Sequence, residues 1–428
     1  MSKSIIEERL LVVYINDDII GQLREHNGLW AFEYAPDWIN QPGSFPLTPS
    51  LTLQQEPHID TGTQRPVQWF FDNLLPEEKA REVLAKDYQL DKEDAFALLE
   101  AIGSESAGAV TLLKSGEELS PGELFLLPDN ELSERIRKLP KTQLNKKERK
   151  RMSLAGAQHK MLLVIKDNRR FEPGGQMPST HILKPEHSDP ESYWFTVRNE
   201  YFVMTLAAKC QLNVPNVAID YVPEPVYIVE RFDRIGGLEN IKRLHVLDGC
   251  QILDISASAK YRASNIDALK RLIQMTRAPA QTAVRLFRWA LFNFLVGNGD
   301  AHLKNLTFSH GLNDCQLMPH YDLLSTAVYA TAREHINEEL SQPLGTAKYF
   351  GQVTQGDLLA FAQELNLNKR VAEREIYWLC NKMQQEADAL IQQLEESPVY
   401  HGKAGELQLL RNIRYRCIGE FVDQITSA

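Results

Sequence analysis

The chain has 428 residues, a hydrophobic share of 43%, a charged share of 24% and a formal net charge of −10. This length exceeds one ordinary core and predicts roughly two to three domains, and the composition excludes a disordered, collagen-like or disulfide-scaffold protein. The acidic balance lacks the electrostatic footprint of a dedicated nucleic-acid binder, so contact with DNA is expected mainly through a basic partner.

The amino-terminal segment does not have a signal-peptide layout, because its apolar run is about one strand long and follows charges. No stretch approaches the roughly 18 to 20 apolar residues that span a bilayer, so no membrane association is expected. The five cysteines, Cys210, Cys250, Cys315, Cys380 and Cys417, stand far apart without zinc-ligand spacing. They fit a reducing compartment, and the expected location is cytoplasmic.

Leu10 to Ile15 reads as a strand, and Asn27-Gly28 as the turn of a hairpin leading into Leu29 to Tyr34. From Gln68 the pattern turns helical, and Pro76-Glu77-Glu78 suits the first turn of a further helix. Ala107 to Leu113 reads as a strand closing this module. The stretch from Lys114 to Arg151 is polar and reads as a solvated connection, including the basic run at 146–151. Strand-like segments follow at Lys160 to Ile165, Thr180 to Lys184 and Tyr227 to Glu230, with a helix from Arg198 to Cys210. Beyond Ala280 the sequence is expected to be mostly helical, with an apolar helix at Ala283 to Val296 and a long amphipathic one at Ala372 to Leu394. The expected fold is α+β: a two-lobed body, sheet-rich over helical, with an N-terminal α/β subdomain and a mostly helical C-terminal lobe. The expected segments are 1–114, a connection at 115–150, a strand-rich lobe at 151–234 and a helical lobe at 235–428.

The sharpest chemical signal is Asn298-Gly-Asp300-Ala-His302-Leu-Lys304-Asn305, which contains the D-x-x-x-x-N spacing of a kinase catalytic loop. One carboxylate, Asp300, orients an acceptor hydroxyl and takes its proton. The amide oxygen of Asn305 is a hard neutral ligand for Mg²⁺. Lys304 is expected to stabilise charge on the transferring phosphoryl group. Asp322, in Pro319-His-Tyr-Asp322, stands one short hairpin further on, where a kinase places its metal-chelating acid, although Leu-Leu follows it in place of Phe-Gly. Lys184 ends a short apolar strand and is expected to hold ATP phosphates, with Glu200 downstream to orient it. Glu230 and Phe232 lie in a hinge-like segment that offers backbone groups to adenine. Ser153 to Lys160 includes the small residues Ala155, Gly156 and Ala157 followed by Gln158, and small residues let backbone N–H groups approach phosphates. Read from spacing alone, each feature has a plainer structural reading, such as a turn Asp, a strand-end Lys or a tight turn before a strand.

Taken together these segments resemble the HipA family of bacterial serine/threonine kinase toxins, which implies a protein-kinase-like fold with 151–234 as the ATP-binding lobe and 235–428 as the catalytic lobe. The resemblance is carried by Phe71 to Pro76, Ser106 to Thr111, Ser153 to Gln158, Thr180 to Lys184, Asn199 to Tyr201, Leu212 to Pro215, Val229 to Arg234, Gly299 to Asn305 and Pro319 to Asp322. It implies Asp300 as catalytic base, Asn305 and Asp322 as Mg²⁺ ligands, Lys184 as the ATP-phosphate lysine, and His302 with the 155–158 loop in the nucleotide site. It also implies autophosphorylation of Ser153 as a self-inactivation switch, since a phosphate brings about −1.5 to −2 charge into the ATP-phosphate cradle. The partners it implies are a HipB-like helix-turn-helix antitoxin dimer and a cytosolic protein substrate, with an aminoacyl-tRNA synthetase among the candidates. Two departures stand out: Ala301 where the family often has Gly, and His159 where it often has Glu. A small-molecule phosphotransferase and a catalytically silent co-repressor are the alternatives from other functional classes.

Overall fold

The computed structural model describes residues 8–139, 141, 144, 158–311, 314–331 and 334–427. The N-terminal region builds on alternation. In β1 (Arg9–Ile15), β2 (Asp18–His26) and β3 (Leu29–Tyr34) buried residues alternate with less buried ones, except at Ile20 and Gly21 where the β1–β2 register shifts, so one face of the sheet meets the core. Asn27 and Gly28 both take positive φ, 53° and 75°, which is the two-residue hairpin turn the sequence predicts. With β4 (His58–Ile59) and β5 (Val110–Lys114) these strands form a five-stranded sheet in the order β4-β3-β2-β1-β5. Helices α1 (Pro36–Asn40), α2 (Pro66–Asp72), α3 (Glu78–Tyr88) and α4 (Ala95–Ile102) accompany it.

The second sheet is antiparallel and six-stranded, in the order β10-β11-β9-β7-β8-β6. Its strands are β6 (Glu123–Leu126), β7 (Met161–Lys166), β8 (Arg169–Gly174), β9 (His181–Pro185), β10 (Val217–Tyr221) and β11 (Pro225–Glu230). The 115–150 stretch is thus more than a solvated connection: it supplies the edge strand β6 and helix α5 (Asp129–Arg137). Leu132 of α5 packs with Met161, Leu163 and Leu183 in a small separate core. The segment reads as polar because a four-residue edge strand and a one-sided helix bury few residues. The basic run at 146–151 lies outside the described residues.

Helix α6 (Thr196–Lys209) crosses from this sheet to the C-terminal half. There, α7 (Gly249–Ile252), α8 (Ile266–Met275), α9 (Pro279–Val296), α10 (Gln355–Glu364), α11 (Lys369–Glu396), α12 (Lys403–Asn412) and α13 (Glu420–Thr426) dominate, as expected. Short β-structure is nonetheless interleaved. β12 (Arg234–Ile235) pairs with β13 (Lys242–Arg243), and β17 (Glu339–Leu344) pairs with β18 (Ala347–Tyr349). β14 (Val246–Asp248), β15 (Thr307–Gly311) and β16 (Asp314–Leu317) form a three-stranded sheet. One continuous apolar cluster runs from the five-stranded sheet through α9 to α11 and α13, so the N-terminal region and the helical half share a core. No helix among the described residues is long and apolar enough to cross a membrane.

Candidate active site

The loop carrying Asp300 is fixed by the end of α9. Gly297 caps that helix at φ +69°, and a Cβ there would stand 2.8 Å from the Ala327 Cβ, so both conformation and space call for glycine. The next residues are tied down in turn. Asn298 Nδ2 donates to Asn293 Oδ1 at 2.7 Å, and the Asp300 N–H donates to Asn298 Oδ1 at 3.0 Å. The Gly299 N–H donates to Thr326 Oγ1 at 2.7 Å, and Asn305 Nδ2 donates to the Asp300 carbonyl at 2.7 Å. Below the loop, the Gly249 N–H donates to the Leu306 carbonyl at 2.9 Å. A Cβ on Gly249 would lie 2.8 Å from the Leu303 carbonyl oxygen, so α7 approaches this closely only with glycine there.

Lys184 on β9 is buried and joins two carboxylates from different parts of the fold. Its Nζ donates to Glu200 Oε1 on α6 at 2.8 Å and to Asp322 Oδ1 beyond β16 at 2.5 Å. Asn199, beside Glu200, exchanges two hydrogen bonds with the backbone of Ser325, at 2.8 and 2.9 Å, and so holds α6 against the segment that carries Asp322. Asp322 adopts φ +57°, an uncommon conformation for a non-glycine residue and one found at functional sites. Burial acts to raise its pKa, but Lys184 and Lys160 outweigh it and hold the carboxyl at about 2. Burial likewise acts against the charge on Lys184, and Asp322 and Glu200 overcome it, so this ammonium stays protonated. Lys160, just before β7, is a second, half-buried lysine facing the same group; loss of solvation and Lys184 press its pKa down to about 8.

Around Asp300, burial lifts the carboxyl to about 6 while the Tyr261 phenol, which donates to Oδ1, pulls it down. His302 Nε2 lies 3.5 Å from the same oxygen, and burial keeps this imidazole neutral with a pKa near 4. Its Nδ1 is buried with no hydrogen-bond partner among the described residues, an acceptor or donor available to a bound ligand. Lys304 is held by the N-terminal region. Its ammonium meets the Asn73 carbonyl at 3.0 Å, Asn73 Oδ1 at 2.9 Å and Glu77 Oε1 at 3.0 Å. Three acceptors match the three donors of an ammonium, so Lys304 ties the Asp300 loop to the N-terminal region.

The hinge-like segment anchors that same region. Arg231, Asp233 and Arg234 meet Glu105 and the Ser106-to-Gly108 backbone: the Gly108 N–H donates to Asp233 Oδ2 at 2.8 Å and Arg234 Nη1 donates to the Gly108 carbonyl at 3.0 Å. Two of the motifs quoted above, far apart in the chain, are therefore one contact. The Glu230 N–H is taken by the Asn216 carbonyl at 3.0 Å. The Phe232 backbone makes no hydrogen bond among the described residues, and its ring lies 5.6 Å from that of Tyr321. Gln158 and Lys160 lead into β7; Ser153, Ala155, Gly156 and Ala157 lie outside the described residues.

This frame has known counterparts. Residues 11–113 match the HipA N-terminal domain model and residues 152–387 the HipA-like C-terminal domain model. The chain belongs to the HipA family. It is 30% identical to the serine/threonine-protein kinase toxin HipA of Shewanella oneidensis, over 97% of each chain. It is 32% identical to Y4mE of Sinorhizobium fredii, over 91% of this chain and 93% of that one. The structure of the Shewanella oneidensis complex of HipA, HipB and operator DNA superposes with a TM-score of 0.80 at 28% identity, covering 96% of this chain and 99% of that chain.

The donor set suits Mg²⁺. Asp322 gives an ionised carboxylate, and Asn305, with its Nδ2 turned to Asp300, has its amide oxygen free of protein donors among the described residues. Two hard oxygen donors are enough for an ion that keeps waters and phosphate oxygens as its other ligands. The structure also brings in residues the sequence did not single out for the site: Tyr261, Lys260, Glu77 and Lys160. Glu77 reads in sequence as an acid at a helix start, yet its carboxylate pairs with Lys260 at 2.6 Å and Lys304 at 3.0 Å. Only the order of the fold brings these together; no local spacing marks them.

Proposed function

We propose that the chain is an ATP-dependent serine/threonine protein kinase and the toxin of a toxin–antitoxin pair. The observation that carries this reading is Lys184, a buried ammonium shared by Glu200 and Asp322 beside a rigid loop bearing Asp300 and Asn305. Lys184 meets the phosphates of ATP, and Phe232 offers backbone groups to adenine. Asn305 and Asp322 would hold Mg²⁺, which when bound neutralises phosphate charge. Asp300 accepts the proton of the acceptor hydroxyl as its oxygen bonds to the γ-phosphorus and the bond from that phosphorus to the β-phosphate oxygen breaks, releasing ADP. A base with a pKa near 6 is ionised at neutral pH and is well matched to this step.

In the same reading, Ser153 is an internal acceptor whose phosphorylation silences the enzyme, and a cytosolic protein such as an aminoacyl-tRNA synthetase is the growth-arresting target. The similarity to a protein solved with HipB and operator DNA supports a helix-turn-helix antitoxin dimer as partner. The net charge of −10 fits a chain that reaches DNA mainly through that partner. Induced expression tests the toxin role: wild type should arrest growth, Asp300→Asn should not, and co-expressed antitoxin should relieve the arrest. Equal arrest by both forms would favour the co-repressor alternative.

A further inference from the structure

The turn Ala257–Ala259 delivers Lys260 and Tyr261 to the catalytic loop. Lys260 is buried and fixed to Glu77 at 2.6 Å. Tyr261 is held on its inner side only: its ring meets His302 edge-on at 4.9 Å, its phenol donates to Asp300 Oδ1, and 46% of the residue stays exposed. That phenol makes no other hydrogen bond among the described residues. Burial and the charge of Asp300 push its pKa well above the ordinary value, so it remains a donor at working pH.

A hydroxyl donating to the carboxylate oxygen of a general base is the contact that an acceptor serine or threonine must make before transfer. Tyr261 makes it with a side chain that is exposed and bound by one hydrogen bond, so an incoming acceptor can replace it. We propose that Tyr261 occupies the acceptor-hydroxyl position on Asp300 and caps this carboxylate against water until a protein acceptor displaces it. The inference rests on the kinase reading and adds to it a device that suppresses wasteful ATP hydrolysis.

The test uses the full chain with Mg·ATP and no protein acceptor, and measures steady-state ADP release beyond the first equivalent. Tyr261→Phe keeps the ring on His302 and beneath Lys260 while removing the oxygen; Tyr261→Ala removes both. Thermal melting and fluorescent-nucleotide binding establish that each variant is folded and binds ATP. Loss of one hydrogen bond to a charged group is expected to raise water-dependent hydrolysis about tenfold in both variants, with KM for ATP unchanged. Unchanged or slower hydrolysis in Tyr261→Phe, with normal nucleotide binding, overturns the cap and makes the phenol a positioning group or a bystander. Phosphate on Tyr261 itself also overturns it, because a group that reacts is an acceptor. If no form binds nucleotide, the kinase reading falls and the cap falls with it.

Discussion

Asp233→Asn tests how the N-terminal region is joined to the segment that follows β11. Asp233 meets Arg231 Nη2 at 2.6 Å and Arg234 Nη1 at 2.9 Å, and both arginine side chains are 3% exposed. Glu105 is the second carboxylate of the cluster, 3.5 Å from Arg231 and 3.1 Å from Arg234. Two cations facing two anions become two cations facing one. Burial and Arg231 already press Arg234 down to about 10, so the cluster does not tolerate a further unbalanced charge. Removing one partner of a buried ion pair costs about 3–5 kcal/mol, against a typical total stability of about 5–15 kcal/mol. Urea denaturation followed by tryptophan fluorescence should show a loss of that size, and amide exchange should speed up across Ser106 to Leu112, where Gly108 loses an ionised acceptor. A control, Glu82→Gln, removes an exposed pair with Lys92 and should leave the midpoint in place. A loss below about 1 kcal/mol for Asp233→Asn, with unchanged exchange, would refute the account of this junction.

Other outcomes follow from the same contacts. Gly249→Ala places a Cβ 2.8 Å from the Leu303 carbonyl oxygen and should displace the loop that carries Asp300. The expected cost is about 1–3 kcal/mol with a marked fall in kcat, and wild-type turnover would show that the close approach is unimportant. His320 is buried against Trp289, and burial holds its pKa at about 3. It folds neutral, so the stability it contributes is present above pH 6.5 and lost as pH falls toward 3; between pH 7 and pH 5 the loss is about 2 kcal/mol. The pH 7-to-5 stability change of His320→Phe should therefore differ from that of wild type by this amount, and identical changes would contradict the buried neutral imidazole. Intact-mass spectrometry after Mg·ATP treatment should show one phosphate gained by wild type and none by Ser153→Ala; equal gains would move the modified residue elsewhere.

The parts of the site that were legible in sequence are those set by short spacing. Asp300 and Asn305 lie on one loop because Gly297 ends an apolar helix, and that is written within a dozen residues. Lys184 and Glu200 were legible as a strand-end lysine and a helix acid, since one helix follows one strand. Tyr261 was not, because its link to Asp300 spans 39 residues and depends on where α7 docks. The partners of Lys304 were hidden for the same reason: a lysine beside Asn305 suggests phosphate, but the loop Asn73 to Glu77 arrives from 231 residues away and meets its ammonium. β6 and α5 were hidden in a polar stretch because an edge strand needs only one partner, here β8. The short strands of the C-terminal half escaped a reading that relied on helical periodicity, since two- to six-residue strands carry too few residues to show alternation.

The most direct test of the central claim is transfer from γ-labelled ATP to protein, with wild type and Asp300→Asn compared in the same extract. The account predicts labelled protein bands with wild type and a loss of at least about 100-fold in the variant, the usual scale for removing a general base. Labelling of equal strength with both would contradict the assignment of Asp300, and no labelling by unphosphorylated wild-type protein would contradict the kinase reading itself.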